Sequence, residues 1–528
     1  MPTISINTED LLNGLETDLT LSELEELLAQ LGTDVESVTE DETEVEIFPN
    51  RPDLLSTQGL LRNLKGLLDE ESGLVDYDVK PSNYNVTVTD DVAPIRGKTA
   101  CAVIKGIDLD QDDLEELITL QEKIHVTYGR ERKRCAIGLY PLEKISFPVT
   151  YTALPPETIQ FTPLGSSTEH TAESILANHE KGEAYSHLLE DEDRYPVFRD
   201  DDGSILSLPP VINSKHTGEV TTSTESVFIE CSGHDLQTVK RALNIVCAHL
   251  SDLGGTIHKV EVSYSDGDVT TPTLESVDRH AVSERDINDW LGTTLTTDEI
   301  KAMLGRMRHD AGESETSEII NVSNNTYRID LLGKSDIIEE IAIGYGFNTI
   351  EPDSRREHTN GSKSEKTRFE DKIRDYLIGS GFQEVYTYSL TNSETARNIS
   401  REQPVELLNS LSDNYNALRS SVVPEHLSVL EDNAHYSYPQ QIFEVGRTFR
   451  DNSSQATGVK EKIKLCITIS GDMKGFSELQ KIITGLNELF EENIRVVEGE
   501  HPAMIDGRTA SLITNNDVIG FFGEIHPR

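Results

Sequence analysis

Leucines recur at helical spacing through Leu21, Leu24, Leu28 and Leu31, and Gly32 then supplies a stop. Thr20 and Ser22 each stand three residues ahead of a glutamate, Glu23 and Glu25, so two overlapping capping boxes mark the start of this helix. The run Glu44-Val-Glu-Ile-Phe48 alternates like a strand and leads into Pro49-Asn-Arg-Pro-Asp-Leu-Leu-Ser56. A second amphipathic helix follows through Leu60, Leu61, Leu64 and Leu67. From about residue 83 the pattern is mixed. Tyr84-Asn-Val-Thr-Val88 predicts a strand, and 111–127 predicts a helix with Leu114, Leu117, Ile118, Leu120 and Ile124 apolar. Ser226–Gly233 reads as a strand and 235–252 as a helix.

The turn-rich segment Ser263-Tyr-Ser-Asp-Gly-Asp268 predicts a boundary, and 270–350 a compact unit of helices and short strands. Residues 352–362 read as a polar linker. Beyond it, Phe369, Ile373, Tyr376 and Leu377 mark a helix closed by Gly379-Ser-Gly381, followed by a strand over 382–390, a helix over 424–433 and a strand over 441–445. The expected class is α+β and multidomain, with units at 1–75, 76–265, 270–350 and 363–528, a division consistent with 528 residues.

Composition sharpens this in two ways. No run of about 18 apolar residues exists, which argues against a membrane span, and the first residues lack a secretion signal. The five cysteines are scattered without a CxxC pair, which fits a reducing compartment and argues against both a disulfide framework and a zinc site. Charge is the stronger signal: 94 Asp+Glu against 47 Lys+Arg give a formal net charge of -47, spread over every segment. Repulsion on that scale disfavours a compact state unless salt screens it, so a cytoplasm rich in salt is the expected setting.

The sharpest chemical pattern is carboxylate. On a helix over 336–345, Ile337, Ile338, Ile341, Ala342 and Tyr345 form one stripe, while Asp336, Glu339 and Glu340 at i, i+3 and i+4 share a neighbouring face, with Asp330 just upstream. Such hard oxygen donors suit Mg2+ or Ca2+ rather than zinc. A solvated acidic face is the alternative, and spacing alone favours it. The basic run Arg130, Arg132, Lys133, Arg134 has two readings as well: balance for a helix C-terminus, which neighbouring acids favour, or contact with nucleic-acid phosphates.

Four blocks occur in one order: Asn50-Arg-Pro-Asp-Leu-Leu-Ser56; Arg328-x-Asp330 with Asp336-x-x-Glu-Glu340 and Gly344-Tyr-Gly346; Phe443-Glu-Val-Gly446; and Gly523-Glu-Ile-His-Pro527. Together they resemble the beta subunit of phenylalanyl-tRNA synthetase in its archaeal/eukaryotic form, over essentially the whole chain. The resemblance implies a cytoplasmic alpha2-beta2 heterotetramer with an alpha subunit that charges phenylalanine tRNA using ATP. It places Asp330, Asp336, Glu339 and Glu340 on the Mg2+ ligand positions of a small helix-rich B5-type domain. It implies an N-terminal α+β module, a mixed α/β editing-type (B3/B4) domain, and a C-terminal class II synthetase-like antiparallel sheet with helices. That last module is expected to be inactive: Phe449-Arg-Asp-Asn452 lacks the glutamate of an ATP-clamping motif, no GxGxGxR segment appears, and the chain stops where the family continues.

The editing-type domain is expected to hydrolyse tyrosine misattached to phenylalanine tRNA, because an apolar pocket rejects one extra hydroxyl poorly. Phe198, Ser207 and Glu230 align with pocket positions, with Asn213 and Ser214 close by. Phe198 and Glu230 depart from the Leu and Asp expected there. Ser207 has no histidine partner at a recognisable spacing, so attack by water is expected rather than a covalent serine. A scaffold and tRNA-binding subunit with an inactive pocket is the alternative.

Overall fold

The computed structural model describes residues 2–274, 277–313, 319–351, 360–400, 403–471, 475–491 and 493–527. They fall into two compact units, Met1–Arg355 and Arg356–Arg528. Most of the expected linker, 352–359, lies outside the described residues.

The leucine period at the N-terminus gives the helix Leu21–Gln30, with Thr20 and Glu23 closing the capping box. Leu24 and Leu28 are buried against the three-stranded sheet of Thr3–Asn7, Glu42–Glu46 and Asp34–Val38. The helix Thr57–Leu67 starts at Ser56, whose hydroxyl accepts from Gly59 N, and buries Leu60 and Leu64.

At the centre of the first unit is a mixed sheet of ten strands among the described residues. From one end it runs Ile212–Asn213, Ile205–Leu208, Tyr195–Arg199, Val149–Leu154, Val79–Val88, Thr256–Tyr264, Lys98–Lys105, Ser226–Gly233 and Cys135–Pro141. The expected boundary at 263–268 is instead a hairpin turn: Gly267–Thr271 folds back antiparallel on Thr256–Tyr264 and belongs to this sheet. The turn residues there reverse the chain without releasing it. Ile137, Leu139, Ile229 and Cys231 point to one face, where the helix Leu236–Asp252 and the N-terminal module cover them in a single core. Cys101, Tyr140, Tyr151, Phe198 and Phe228 point to the other face and form a second core. The sheet curls so far that its two end strands meet, with the Tyr140 hydroxyl 3.4 Å from Asn213 Oδ1.

Helices Glu284–Leu291, Thr297–Arg306 and Lys334–Tyr345 pack Ile287, Ile300, Leu304, Ile337, Ile338 and Ile341 with a sheet of Val277–Ser283, Ile319–Asn325 and Asp310–Glu313. This body is tied to the N-terminal module by charge. Arg306 pairs with Asp69 at 2.7 Å and Arg308 with Glu71 at 3.0 Å. Arg51 holds Asp53 in a buried pair at 2.9 Å, within the electrostatic reach of Arg328. Arg62 pairs with Asp252 at 2.5 Å and lies over the Tyr327 ring. Two of the sequence blocks, around Arg51 and Arg328, are thus parts of one buried ionic network. Close backbone contact accompanies it: a Cβ on Gly66 would lie 2.1 Å from Arg306 O.

In the second unit, helices Glu365–Gly379 and Gly475–Phe490 cover a sheet of Gln383–Glu384, Gln440–Asp451 and Val459–Ser470 around Ile373, Leu377, Phe382, Phe443 and Ile482. The single strand expected over 382–390 divides into Gln383–Glu384 and Leu390–Thr391, which join different sheets, and Tyr386 and Tyr388 between them are exposed. Alternation there reflects exposure of the aromatic positions, not their burial. The Phe443-Glu-Val-Gly446 block is a packing device. Glu444 makes a buried pair with Arg419 at 2.6 Å, and a Cβ on Gly446 would fall 2.6 Å from the same guanidinium.

Candidate functional site

The inner face of the curled sheet carries a row of directly opposed residues. Phe198 stands opposite Tyr151 and Ser207, and Ser207 opposite Asn213. Opposed residues of an antiparallel pair share a face, so the four side chains run in line. From the far end of the sheet comes a second row, Cys101, Glu230 and Gly138. The curl brings the rows together at Tyr140, which donates to Glu230 Oε1 at 3.1 Å.

Glu230 is 2% exposed, and burial pushes its carboxyl up to about 8, against the opposing effects of Tyr140's hydrogen bond and the charge of Arg96. Its second oxygen and the Ser207 hydroxyl are buried without a well-formed hydrogen bond among the described residues. Orphaned polar atoms in an apolar surround are costly and signal an absent partner. Gly138 keeps the space open: a Cβ there would lie 2.7 Å from Glu230 Oε1 and 2.3 Å from the Tyr140 hydroxyl. Glu230, Ser207 and Asn213 are therefore brought together. Phe198 stacks on Tyr151 at 4.1 Å between ring centres and shapes the floor. Ser214 is buried beside the group, its backbone N–H donating to Leu206 O. Tyr140, Gly138 and Arg96 were not singled out in the sequence. The alternation within Cys135–Pro141 puts 138 and 140 on one face, but only the curl reveals what they meet.

The acidic block divides. Arg328 donates to both oxygens of Asp330, at 2.9 and 2.7 Å, and to both oxygens of Glu340, at 2.9 and 2.7 Å. His309 Nε2 lies 2.8 Å from Glu340 Oε2. Glu340 is thus buried against Arg328 and His309 at the inner edge of the face it shares with Asp336 and Glu339. Asp336 accepts from Leu332 N and Gly333 N at the start of its helix. Glu339 is exposed, and its carboxyl is raised by partial burial and by the charges of Glu340, Asp336 and Asp330. Among the described residues no three such groups close on one point as they stand. The rim of Asp330, Asp336 and Glu339 nevertheless keeps a surplus of negative charge and offers hard oxygens, so its chemistry fits Mg2+.

The basic run also divides. Arg132 is buried: it donates to Pro210 O and Val211 O, pairs with Glu122 at 2.6 Å and stacks on Tyr185. Arg134 donates to the Thr238 hydroxyl and stacks on Tyr128. Both hold the fold through these contacts, although only Arg132 is buried; Arg134, like Arg130 and Lys133, is exposed.

Comparison with known proteins places these features. Residues 1–70 match the Phe-tRNA synthetase beta subunit B1 domain, 280–347 the tRNA synthetase B5 domain, and 353–528 the phenylalanyl tRNA synthetase beta chain CLM domain. The phenylalanine–tRNA ligase beta subunit of Pyrococcus abyssi is 36% identical over 536 aligned positions, covering 100% of this chain and 96% of the relative. That of Methanosphaera stadtmanae is 35% identical with the same coverage. Among solved structures, an N-terminal fragment of the Pyrococcus horikoshii phenylalanyl-tRNA synthetase beta subunit superposes with a TM-score of 0.62 at 36% identity, over 65% of this chain and 99% of the fragment.

Proposed function

The chain belongs to the phenylalanine–tRNA ligase beta-subunit family, and from that premise we propose that it works in an alpha2-beta2 enzyme with an alpha subunit that attaches phenylalanine to its tRNA using ATP and Mg2+. Similarity along the whole chain carries this reading. The second unit acts as a class II synthetase-like module without catalysis. Its buried charge pair, Arg419 with Glu444, is tied further to the Thr387 hydroxyl and to Arg447 O, which fits a packing role. Among the described residues no helix is long and apolar enough to cross a membrane, and the reading places the enzyme in the cytoplasm. The net charge of -47 supports work in concentrated salt. Mg2+ at the acidic block would be held by Asp330, Asp336 and Glu339, with Glu340 behind them on Arg328.

The inner face of the sheet is the editing pocket. Glu230, kept protonated by burial near neutral pH, offers an O–H and a free oxygen to the hydroxyl that distinguishes tyrosine from phenylalanine. Ser207 and Asn213 orient the ester or the attacking water. Ser207 is no nucleophile here, since among the described residues its hydroxyl contacts no base.

Deacylation of tyrosyl-tRNA(Phe) by the assembled enzyme tests this. Wild type should exceed the Ser207→Ala, Glu230→Ala variant by at least about tenfold. Equal rates would leave the scaffold reading. Formation of phenylalanyl-adenylate by this chain alone would overturn the division of labour with the alpha subunit.

A further inference from the structure

Among the described residues, the buried arginines Arg51, Arg62, Arg132, Arg308, Arg328 and Arg419 each pair with a carboxylate. Arg96 is buried as well and pairs with none. Its guanidinium donates to Ser232 O at 2.8 Å, Ser232 Oγ at 3.2 Å, Arg132 O at 3.0 Å and Lys133 O at 3.4 Å, all of them neutral. The last two acceptors belong to a left-handed turn in which Arg130, Glu131 and Arg132 have φ of 49°, 53° and 63°. Composition does not explain the missing partner, since 94 Asp+Glu stand against 47 Lys+Arg. A buried charge without a counter-charge is costly, and beside a pocket it marks a functional candidate.

Arg96 also holds the inner-face pocket on two sides. Ser232 lies on the same face of its strand as Glu230, about 7 Å along it. The Arg96 carbonyl accepts from the Tyr151 hydroxyl at 2.9 Å, and Tyr151 is the ring on which Phe198 stacks. One residue thus fixes both the strand that carries Glu230 and the floor of the pocket.

The other titratable groups around Glu230 are Tyr140, Tyr151, Cys101 and Cys231. Burial pushes all four up, so they are neutral near pH 7. Arg96 is the one cation among the described residues whose charge reaches Glu230. The two form no ion pair: Glu230 Oε1 accepts from Tyr140, and Oε2 has no well-formed hydrogen bond.

We propose that Arg96 is a positioning residue of this pocket: it holds the Glu230 strand and the Phe198 floor in place, and its unbalanced charge favours the negative charge that forms when water attacks an ester there. The identity of the ester rests on the editing reading; the electrostatic link between Arg96 and Glu230 does not. In the step itself the water oxygen bonds to the ester carbon, and the carbonyl electron pair moves onto its oxygen. As that pair returns, the bond to the ribose oxygen breaks, and the ribose oxygen takes the proton from the water. The extra negative charge exists only on the way through, so a fixed cation nearby lowers the barrier without tightening the ground state.

The test is the rate of tyrosyl-tRNA(Phe) deacylation by the assembled enzyme across about pH 6.5 to 9, corrected for uncatalysed hydrolysis. In wild type the rate should fall near pH 8 as Glu230 loses its proton. Arg96→Gln removes the charge but keeps N–H donors for Ser232, which protects the fold. It should lower kcat at least about tenfold with KM within about threefold, and move the alkaline fall to higher pH by about half a pH unit or more, because the cation that favours ionised Glu230 is gone. Arg96→Lys keeps the charge, so the alkaline fall should stay in place and kcat within about fivefold of wild type. A slower Arg96→Gln whose alkaline fall has not moved would mean a purely structural role and overturn the proposal, as would an unchanged rate. Melting against pH needs no substrate: the pH at which Arg96→Gln loses stability should lie above that of wild type, and Glu230→Gln in both backgrounds should abolish the difference. If wild type leaves tyrosyl-tRNA(Phe) intact but this difference is found, the editing reading falls and the link between Arg96 and Glu230 stands. If the difference is absent, the proposal falls whatever the rates.

Discussion

The Tyr140 hydroxyl reaches across the end of the sheet to Glu230 Oε1 at 3.1 Å, and this single contact joins the closing edge of the sheet to its most perturbed carboxyl. Because burial raises that carboxyl to about 8 from its ordinary value near 4.5, between those two pH values the folded chain holds a proton there that the unfolded chain has released. The group's contribution is therefore most favourable below about 4.5, falls as pH rises from there to about 8, and is level above that. Glu230→Gln should remove this slope. At pH 9 the variant should be more stable than wild type by on the order of a few kcal/mol, and at pH 5 nearly equal. Melting temperatures at the two pH values check this, and parallel curves would contradict it.

Gly138→Ala should fill the space before Glu230, since the new Cβ would fall 2.3 Å from the Tyr140 hydroxyl. Overpacking of this kind costs about 1–3 kcal/mol. Deacylation of tyrosyl-tRNA(Phe) should drop by at least about tenfold, measured beside aminoacylation by the same preparation, which should change much less.

Arg328→Met should leave Asp330 and Glu340 without their shared cation. Breaking a buried pair from one side costs about 3–5 kcal/mol, whereas removing Arg508 from its exposed pair with Glu524 should cost about 0–1 kcal/mol. Thermal melting of the two variants orders them. Millimolar Mg2+ should recover part of the Arg328→Met loss if the acidic block takes a cation.

Removal of divalent cations from wild type with EDTA should leave the melting of the first unit within about 2 °C, because Arg328 and His309 already hold Glu340. A collapse of the fold on chelation would mean that the cation is structural.

Salt should stabilise the chain strongly. With a formal charge of -47, raising KCl from about 0.1 M, where the screening length is about 10 Å, to about 1 M, where it is about 3 Å, should raise the melting temperature monotonically. A flat response would show that internal pairing already cancels the repulsion.

Helices with a clear period were legible: Leu21–Gln30, Gln111–Val126, Leu236–Asp252 and Lys334–Tyr345 lie where the leucine and isoleucine spacings put them. Their caps are local, as at Thr20, so no distant contact was needed to place them. The 382–390 segment was misread because alternation reports two faces but not which is covered, and Tyr386 and Tyr388 face solvent. The burial of Glu340 was not legible for a related reason: spacing could not reveal that Arg328 lies beneath it. The pocket candidates Ser207 and Glu230 came from family resemblance, while Tyr140 and Gly138 depend on the curl of a sheet whose end strands are far apart in sequence. Arg130, Lys133 and Arg134 were visible as charge, but the burial of Arg132 among them follows from the left-handed turn and its contacts with Pro210 O and Val211 O.

The buried network that links Arg51 and Arg62 with Asp252, Arg328 and Glu340 has a consequence for birth on the ribosome. Arg51 emerges early and Arg328 late. At about 5–20 residues per second, the N-terminal module waits roughly 15–60 s before its charged partners exist. Until then Arg62 and its neighbours face a half-built interface, and the nascent chain depends on hydration, ions or a chaperone to keep them from mispairing. Ribosome-held chains cut short before residue 328 should be digested quickly by protease, and chains extending past residue 345 slowly.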